Sequence, residues 1–213
     1  MRLRNIKGKE EIINSSKYII KNPKEYCGKW NEVFNNDNPI YIEIGMGKGK
    51  FISENAIKYP NINFIGIEKF DSVITRAIQK IEEENILNLK LIRIDALNLE
   101  QVFNKEISRI YLNFSDPWPK SKHIKRRLTS EIFLKIYDKL FKDVNEIYLK
   151  TDNKGLFAYS IESLSNYGYK FKNVTLDLEK ENINNITTEY EEKFMSIGQT
   201  INRLEAYKFN NLQ

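Results

Sequence analysis

Residues 41–51 read YIEIGMGKGKF. A β-branched run, Ile40–Ile44, ends in a turn carrying Gly45, Gly47 and Gly49, and a helical pattern starts at Lys50. The stretch therefore predicts a strand, a tight turn and a helix over Lys50–Tyr59. The same alternation continues outward. Runs rich in β-formers at Asn63–Ile67, Leu89–Ile94, Arg109–Phe114 and Glu146–Thr151 are separated by helix-like segments at Ser72–Glu84, Leu97–Phe103 and Glu131–Phe141. Strands alternating with helices imply βαβ units joined by right-handed crossovers. After a helix expected at Leu156–Asn166, the runs near Phe171–Leu178 and Thr200–Phe209 leave too little chain for another simple crossover. The expected class is α/β: a mostly parallel twisted sheet with helices on both faces and an antiparallel C-terminal strand.

With 213 residues, one domain plus a short appendage is the economical division. Such a chain buries roughly 70% of the surface its unfolded form exposes, enough for a core without cross-links. Cys27 is the only cysteine, so no internal disulfide or cysteine-based zinc site is available. With His123 the sole histidine, no metal is expected, and the reducing cytoplasm is the expected compartment. No apolar stretch approaches a bilayer span, so no membrane association is expected. The net charge of +5 resides in residues 1–30, where eight basic residues face three acidic ones. The expected division is a basic N-terminal arm, 1–30, followed by one body, 31–213. Charge alone leaves a polyanionic partner and a solvated tail equally open.

An acid stands at or just beyond the end of each expected parallel strand: Glu43, Glu68, Asp95, Asp116 and Asp152. Ligands of open α/β sheets bind outside the carboxyl ends of the strands, where strand order reverses, so these five acids are expected to converge on one rim. The glycine turn lacks the third glycine of a dinucleotide fingerprint, because position 50 is lysine, and Glu43 would repel a pyrophosphate. A ligand with amino groups or a cation fits better. S-adenosylmethionine has both: its ammonium and sulfonium can face carboxylates while its carboxylate meets the helix N-terminus. Glu68 is then placed for the ribose hydroxyls and Asp95 for the adenine edge, with Gly45 and Gly47 in the turn.

The fourth strand runs into NFSDPWPK, residues 113–120, and between Asp116 and Glu131 every charged residue is basic. This segment, with LKTDN at 149–153 and TEYEEKF at 188–194, resembles the bacterial tRNA (guanine(46)-N7)-methyltransferases over roughly residues 39–209. The resemblance implies a Rossmann-like class I methyltransferase that forms 7-methylguanosine at position 46 in the variable loop of tRNA. It implies S-adenosylmethionine held by Glu43, Glu68, Asp95 and Asp116, with Asp116 also the active-site acid. It places the substrate on Lys120, Asp152, Thr188, Glu189, Tyr190 and Glu191, and RNA on Lys122, His123, Ile124, Lys125, Arg126 and Arg127. A guanine offers two donors on its Watson–Crick edge, which Asp152 or Glu191 could accept. Trp118, fixed by Pro117 and Pro119, could stack on a base or pack the loop. His123 reads as an RNA-side or solvated residue rather than a base.

Beside a nicotinamide-dependent dehydrogenase, which Lys50 and Glu43 disfavour, two rival readings stand. A methyltransferase for exocyclic amino groups usually carries Asn/Asp-Pro-Pro-aromatic, whereas here the second proline follows the tryptophan. A non-catalytic RNA-binding module on the same fold should have lost some cofactor carboxylates, and all are present. A monomer and a homodimer both remain open.

Overall fold

The computed structural model describes residues 6–181 and 184–209. Arg2 and Arg4 of the expected basic arm lie outside them. Seven strands form one sheet in the order β3-β2-β1-β4-β5-β7-β6: β1 (Ile40–Ile44), β2 (Asn63–Glu68), β3 (Leu89–Arg93), β4 (Ile107–Asn113), β5 (Val144–Thr151), β6 (Lys170–Thr175) and β7 (Asn202–Phe209). The first five pair in parallel. Strand β7 runs antiparallel between β5 and β6, as expected for the C-terminal strand. The helices are α1 (Lys9–Ser15), α2 (Trp30–Phe34), α3 (Lys50–Lys58), α4 (Asp71–Ile81), α5 (Glu131–Leu140), α6 (Lys154–Asn166) and α7 (Glu189–Met195).

The sheet is covered on both faces, and each face has its own core. One holds Ile42, Ile110, Leu112, Trp30, Phe103, Leu134, Tyr137 and Leu164. The other holds Phe64, Leu91, Ile52, Ile74, Ile78 and Tyr18. Alternating side chains assign the faces: on β1, Ile42 belongs to the first cluster and Tyr41 packs against the second. Strand β2 is buried along its whole length, as central parallel strands are. Within it, Gly66 leaves the space in which Met46 sits; a Cβ there would lie 2.9 Å from Leu91 Cδ2.

Two expectations are corrected. The piece near Leu97–Phe103 is a 3-10 turn, Ala96–Gln101, because Asp95 caps it by accepting from Leu97 N and so short a segment closes with the tighter bond. Much of the segment expected as an arm lies against the body. Tyr18 is buried, and Ile20 N and Leu91 N exchange bonds with Leu91 O and Tyr18 O, at 3.0 and 2.8 Å, along the free edge of β3. Among the described residues, no helix is long and apolar enough to cross a membrane.

Candidate active site

From β1 the chain moves outward to β2 and β3, then returns to β4 on the other side of β1. The reversal leaves a gap between the loops that follow β1 and β4. A cleft of about 530 Å³ opens at these strand ends, lined by residues that include Gly45, Glu68, Asp95, Phe114, Asp116 and Trp118. On the β1 side, Gly45 N and Met46 N donate to Ile67 O at 2.9 and 3.1 Å, which pins the turn to β2. Gly45 has φ +76°, and the space where its Cβ would stand is open, so the backbone is bare to a ligand.

Glu68 closes β2 and is 7% exposed. Its Oε1 accepts from Lys69 N and Phe70 N at 2.9 and 3.0 Å, which fixes the carboxylate in the cleft wall. Burial raises its pKa, and the backbone amides of Phe70, Lys69 and Gly47 oppose the rise. Asp95 has one oxygen on Leu97 N, at 3.0 Å, and the other 3.6 Å from Lys69 Nζ. Asp116 is exposed on the opposite wall.

The loop bearing Asp116 contains two non-glycine residues with positive φ, Phe114 at +50° and Trp118 at +41°. Such backbone costs energy and persists where neighbours hold it. Arg127 holds it here: Nε donates to Pro117 O at 3.0 Å and Nη2 to Trp118 O at 3.2 Å. Its guanidinium also lies 4.3 Å over the ring of Tyr159 on α6. Arg127, expected among the RNA contacts, is thus occupied inside the protein. Lys122, Lys125 and Arg126 are exposed, and Arg126 lies 4.9 Å over the Trp118 ring. Trp118 both lines the cleft and supports the loop.

Glu43 departs from the expected rim. It lies behind the glycine turn, 1% exposed, with Oε1 accepting from Asn113 Nδ2 at 2.8 Å and Oε2 unpartnered. Burial pushes its pKa up to about 8, against the pull of the Asn113 hydrogen bond and of Lys150. Asp152 also falls outside the cleft lining. It is half-buried and acts electrostatically on Tyr190, whose ring lies 5.0 Å from Phe114 at a tilt of 38° and stacks 4.2 Å from Phe194. Phe114 therefore joins the cleft to the start of α7.

That start is a full capping box. Thr188 Oγ1 accepts from Glu191 N at 2.9 Å, and Glu191 Oε2 accepts from Thr188 N at 3.2 Å. Glu191 also accepts from Asn185 Nδ2 and from Lys150, and it is fully buried. Its oxygens are therefore taken up within the protein, so of the two acids expected to meet a guanine edge only Asp152 is free for it. Glu189, by contrast, pairs with Lys80 at 2.9 Å near the surface.

The structure thus brings Gly45, Glu68, Asp95, Asp116, Lys125 and Arg126 onto one cleft. It keeps Gly47, Glu43, Lys120, Lys122, His123, Ile124, Asp152 and Thr188–Glu191 off its lining. Sequence reading missed Phe114, Lys50 and Lys150. Lys50 Nζ donates to Thr187 Oγ1 at 3.1 Å and pairs with Glu192. Lys150 stood in the quoted LKTDN run, but nothing in a run of five residues reveals a partner that lies 41 positions away.

The chain matches the family described as "Putative methyltransferase" over residues 37–204. It is 50% identical over 211 residues to the tRNA (guanine-N(7)-)-methyltransferase of Lachnoclostridium phytofermentans, covering 98% of this chain and 99% of that protein. It is 52% identical over 197 residues to the protein of the same name from Bacillus subtilis, covering 92% of each. Among solved structures it is similar to an antibiotic-related methyltransferase, with TM-score 0.66 and 17% identity over 86% of this chain and 94% of that one. The 16S rRNA methyltransferase KamB gives TM-score 0.67 at 12% identity with the same coverage. At such identities the likeness concerns the fold alone.

Proposed function

This chain belongs to the tRNA (guanine-N(7)-)-methyltransferase family, and from that premise we propose that it methylates N7 of guanine 46 in the variable loop of tRNA at the cleft between β1 and β4. It is an S-adenosylmethionine-dependent enzyme. What carries the residue-level reading is the cleft itself, where an open glycine backbone, two strand-end carboxylates and Asp116 share one space at the reversal of strand order.

The residues present fit the cofactor. The bare backbone at Gly45 admits close approach, and the orphaned Oε2 of Glu43 lies behind that turn without a donor of its own. An ammonium supplies such a donor and favours the ionised carboxylate against the burial that raises its pKa, whereas a pyrophosphate brings no donor at all. Glu68, with Oε1 already oriented by two amides, turns its remaining lone pairs to the ribose; Asp95 and Ala96 meet the adenine edge. When bound, S-adenosylmethionine supplies a methyl group carried on a sulfonium.

On the substrate side, N7 of guanine brings a lone pair and no proton, and the methylated ring is cationic. Positioning and negative charge therefore matter more than a general base. Asp116 places a carboxylate beside that ring on a loop locked by Arg127. Phe114 and Tyr190 offer aromatic faces and Asp152 an acceptor for the guanine edge, with Lys120 on the approach. Lys122, His123, Ile124, Lys125 and Arg126 form the RNA-facing turn, and the basic residues of 1–30 add to the charge that draws a polyanion.

The test is to incubate the protein with tritiated S-adenosylmethionine and tRNA, then identify the labelled nucleoside and its position. Label in 7-methylguanosine at position 46 is expected. Transcripts carrying 7-deazaguanine there should bind normally and accept no methyl group. Equal labelling of both transcripts would move the attacking atom to an amino group.

A further inference from the structure

Glu43, Asn113 and Lys150 stand side by side across three strands: Asn113 on β4 pairs in register with Lys150 on β5, and Asn113 Nδ2 donates to Glu43 on β1. Lys150 is 4% exposed. Its ammonium donates to Ile186 O at 2.9 Å, to Asn185 Oδ1 at 3.2 Å and to the Glu191 carboxylate, and it lies 4.8 Å over the Phe51 ring of α3. All three N–H directions thus point to acceptors in the 185–191 segment that leads into α7. The same charge acts on Glu43 from the other side.

A lysine needed only to hold a loop could stand at the surface, as Lys80 does with Glu189. Burying an ammonium is costly unless it is paired and fully hydrogen-bonded, and Lys150 meets both conditions with two carboxylates from opposite sides. One of these, Glu191, builds the N-terminal cap of α7. The other, Glu43, retains an unpartnered oxygen behind the glycine turn.

We propose that Lys150 is a positioning residue of the methyl transfer: one buried ammonium fixes the 185–191 segment where guanine docks and presents a compensating charge to Glu43 beneath the amino-acid end of the cofactor. The inference rests on the site reading given above. It makes cofactor pocket and guanine platform share one element of charge, so that a change at Lys150 reaches both. Glu43 is faced by Lys150 from β5, Asn113 from β4, Glu68 from β2 and Glu189 from α7. Lys150 is faced by Glu191 from α7, Glu43 from β1 and Arg203 from β7. Of the groups facing Glu43, Lys150 is the one that favours its charged form by charge alone, and the acids oppose it.

The test separates this role from simple support of the fold. Lys150→Met alone strands Glu191 as a buried charge, so the informative variant is Lys150→Met with Glu191→Gln, which neutralises the pair together. The full chain and this variant are compared by thermal melts, by calorimetric titration with S-adenosylmethionine across the pH range around 8 where Glu43 titrates, and by steady-state kinetics on tRNA. The double variant is expected to melt like the wild type. Its affinity-versus-pH curve should move to higher pH, with a loss of cofactor affinity at neutral pH. Its KM for tRNA should rise with kcat little changed. Titration of the cofactor's own amino group is common to both chains and cancels in the comparison.

A double variant that melts normally and binds along the wild-type curve would overturn the proposal. Should the double variant melt low, Lys150→Arg decides: charge is kept and bulk added, so the curve is expected to stay in place while KM for tRNA rises. A displaced curve there would show that charge at position 150 does not set it. Failure of the wild-type chain to bind S-adenosylmethionine at any pH overturns the site reading itself; normal wild-type binding with unmoved variants overturns only the part given to Lys150.

Discussion

Glu68 combines near-complete burial with a position on the cleft wall, a costly arrangement for a carboxylate unless something meets it there. Two backbone amides fix its orientation, and in the proposed site the cofactor ribose supplies further donors. Glu68→Ala should therefore weaken S-adenosylmethionine binding by several-fold to about a hundredfold, since charge-assisted hydrogen bonds contribute roughly 1.5–3 kcal/mol each before water compensates. Unchanged affinity in a calorimetric titration would remove Glu68 from the site. Glu43 carries a different signature. Its pKa in the folded protein, about 8, lies above the ordinary 4.5, so between those values the folded state holds a proton that the unfolded state has released. Stability of the cofactor-free protein should then fall as pH rises through that window, by up to about 1.4 kcal/mol per unit, and be flat in this respect below it. Melting curves of Glu43→Gln should lose much of that slope; parallel curves for the two proteins would mean that Glu43 is ionised throughout. At Asp116 the requirement is charge beside a ring that becomes cationic, so Asp116→Asn should keep the fold, judged by circular dichroism, and lose about 10²–10³-fold in rate. A rate within a few-fold of wild type would assign the acid to binding alone.

The element that links the cleft to the proposed RNA contacts is the loop and 3-10 turn from Phe114 to Arg127. Its two positive-φ residues are held by one arginine whose hydrogen bonds run to the backbone of Pro117 and Trp118. Arg127→Ala should free the loop, at a cost of about 1.5–3 kcal/mol for charge-assisted bonds, and lower kcat along with tRNA affinity. Lys122 stands exposed and off the cleft, so Lys122→Ala should flatten the log–log dependence of tRNA affinity on salt by about 0.7–0.9 and leave cofactor binding intact. If the slope stays put, Lys122 is solvated rather than phosphate-bound. Much of this scale is legible in the sequence. The five parallel strands and the antiparallel last strand follow from period and spacing, and the acids at the ends of β2, β3 and β4 meet as the strand-end rule requires. What was not legible has one physical cause: it depends on which distant side chain fills which gap. Glu43 looks like its neighbours in sequence, yet Asn113 draws it behind the turn. Glu191 looks like a surface acid in TEYE, yet Lys150 buries it. Arg127 looks like Arg126, yet its guanidinium meets two carbonyls and the Tyr159 ring. Helix α1 is too short to announce itself by periodicity.

For the molecule as a whole, the first thirty residues raise a question that charge cannot answer. Their basic excess suggests an arm for RNA, while their apolar residues serve the body. Ile13, Tyr18 and Ile19 are buried in the core of the α3–α4 face. Lys9 pairs with Asp71 at 3.1 Å, and Arg93 reaches both Glu10 and Asp71, at 2.9 and 3.2 Å. The Tyr18–Ile20 stretch also satisfies the exposed edge of β3, which an open sheet would otherwise present to other chains. Removing residues 1–20 should thus delete three buried side chains and bare the apolar surface they cover, a loss of roughly 1.5–3 kcal/mol each, on the order of 5 kcal/mol together. At about 2–4 °C per kcal/mol for a domain of this size, the melting temperature should drop by about 10–20 °C, with aggregation through the uncovered edge. Replacing Lys17, Lys21 and Lys24 by glutamine leaves these ion pairs and the bonds to β3 in place, because all three are exposed. That variant should melt like the wild type and bind tRNA more weakly with a shallower salt dependence. The two variants separate the jobs. A truncated chain that melts normally would make the segment a detachable arm, and a triple-glutamine variant with wild-type tRNA binding would leave it a purely structural cover for β3.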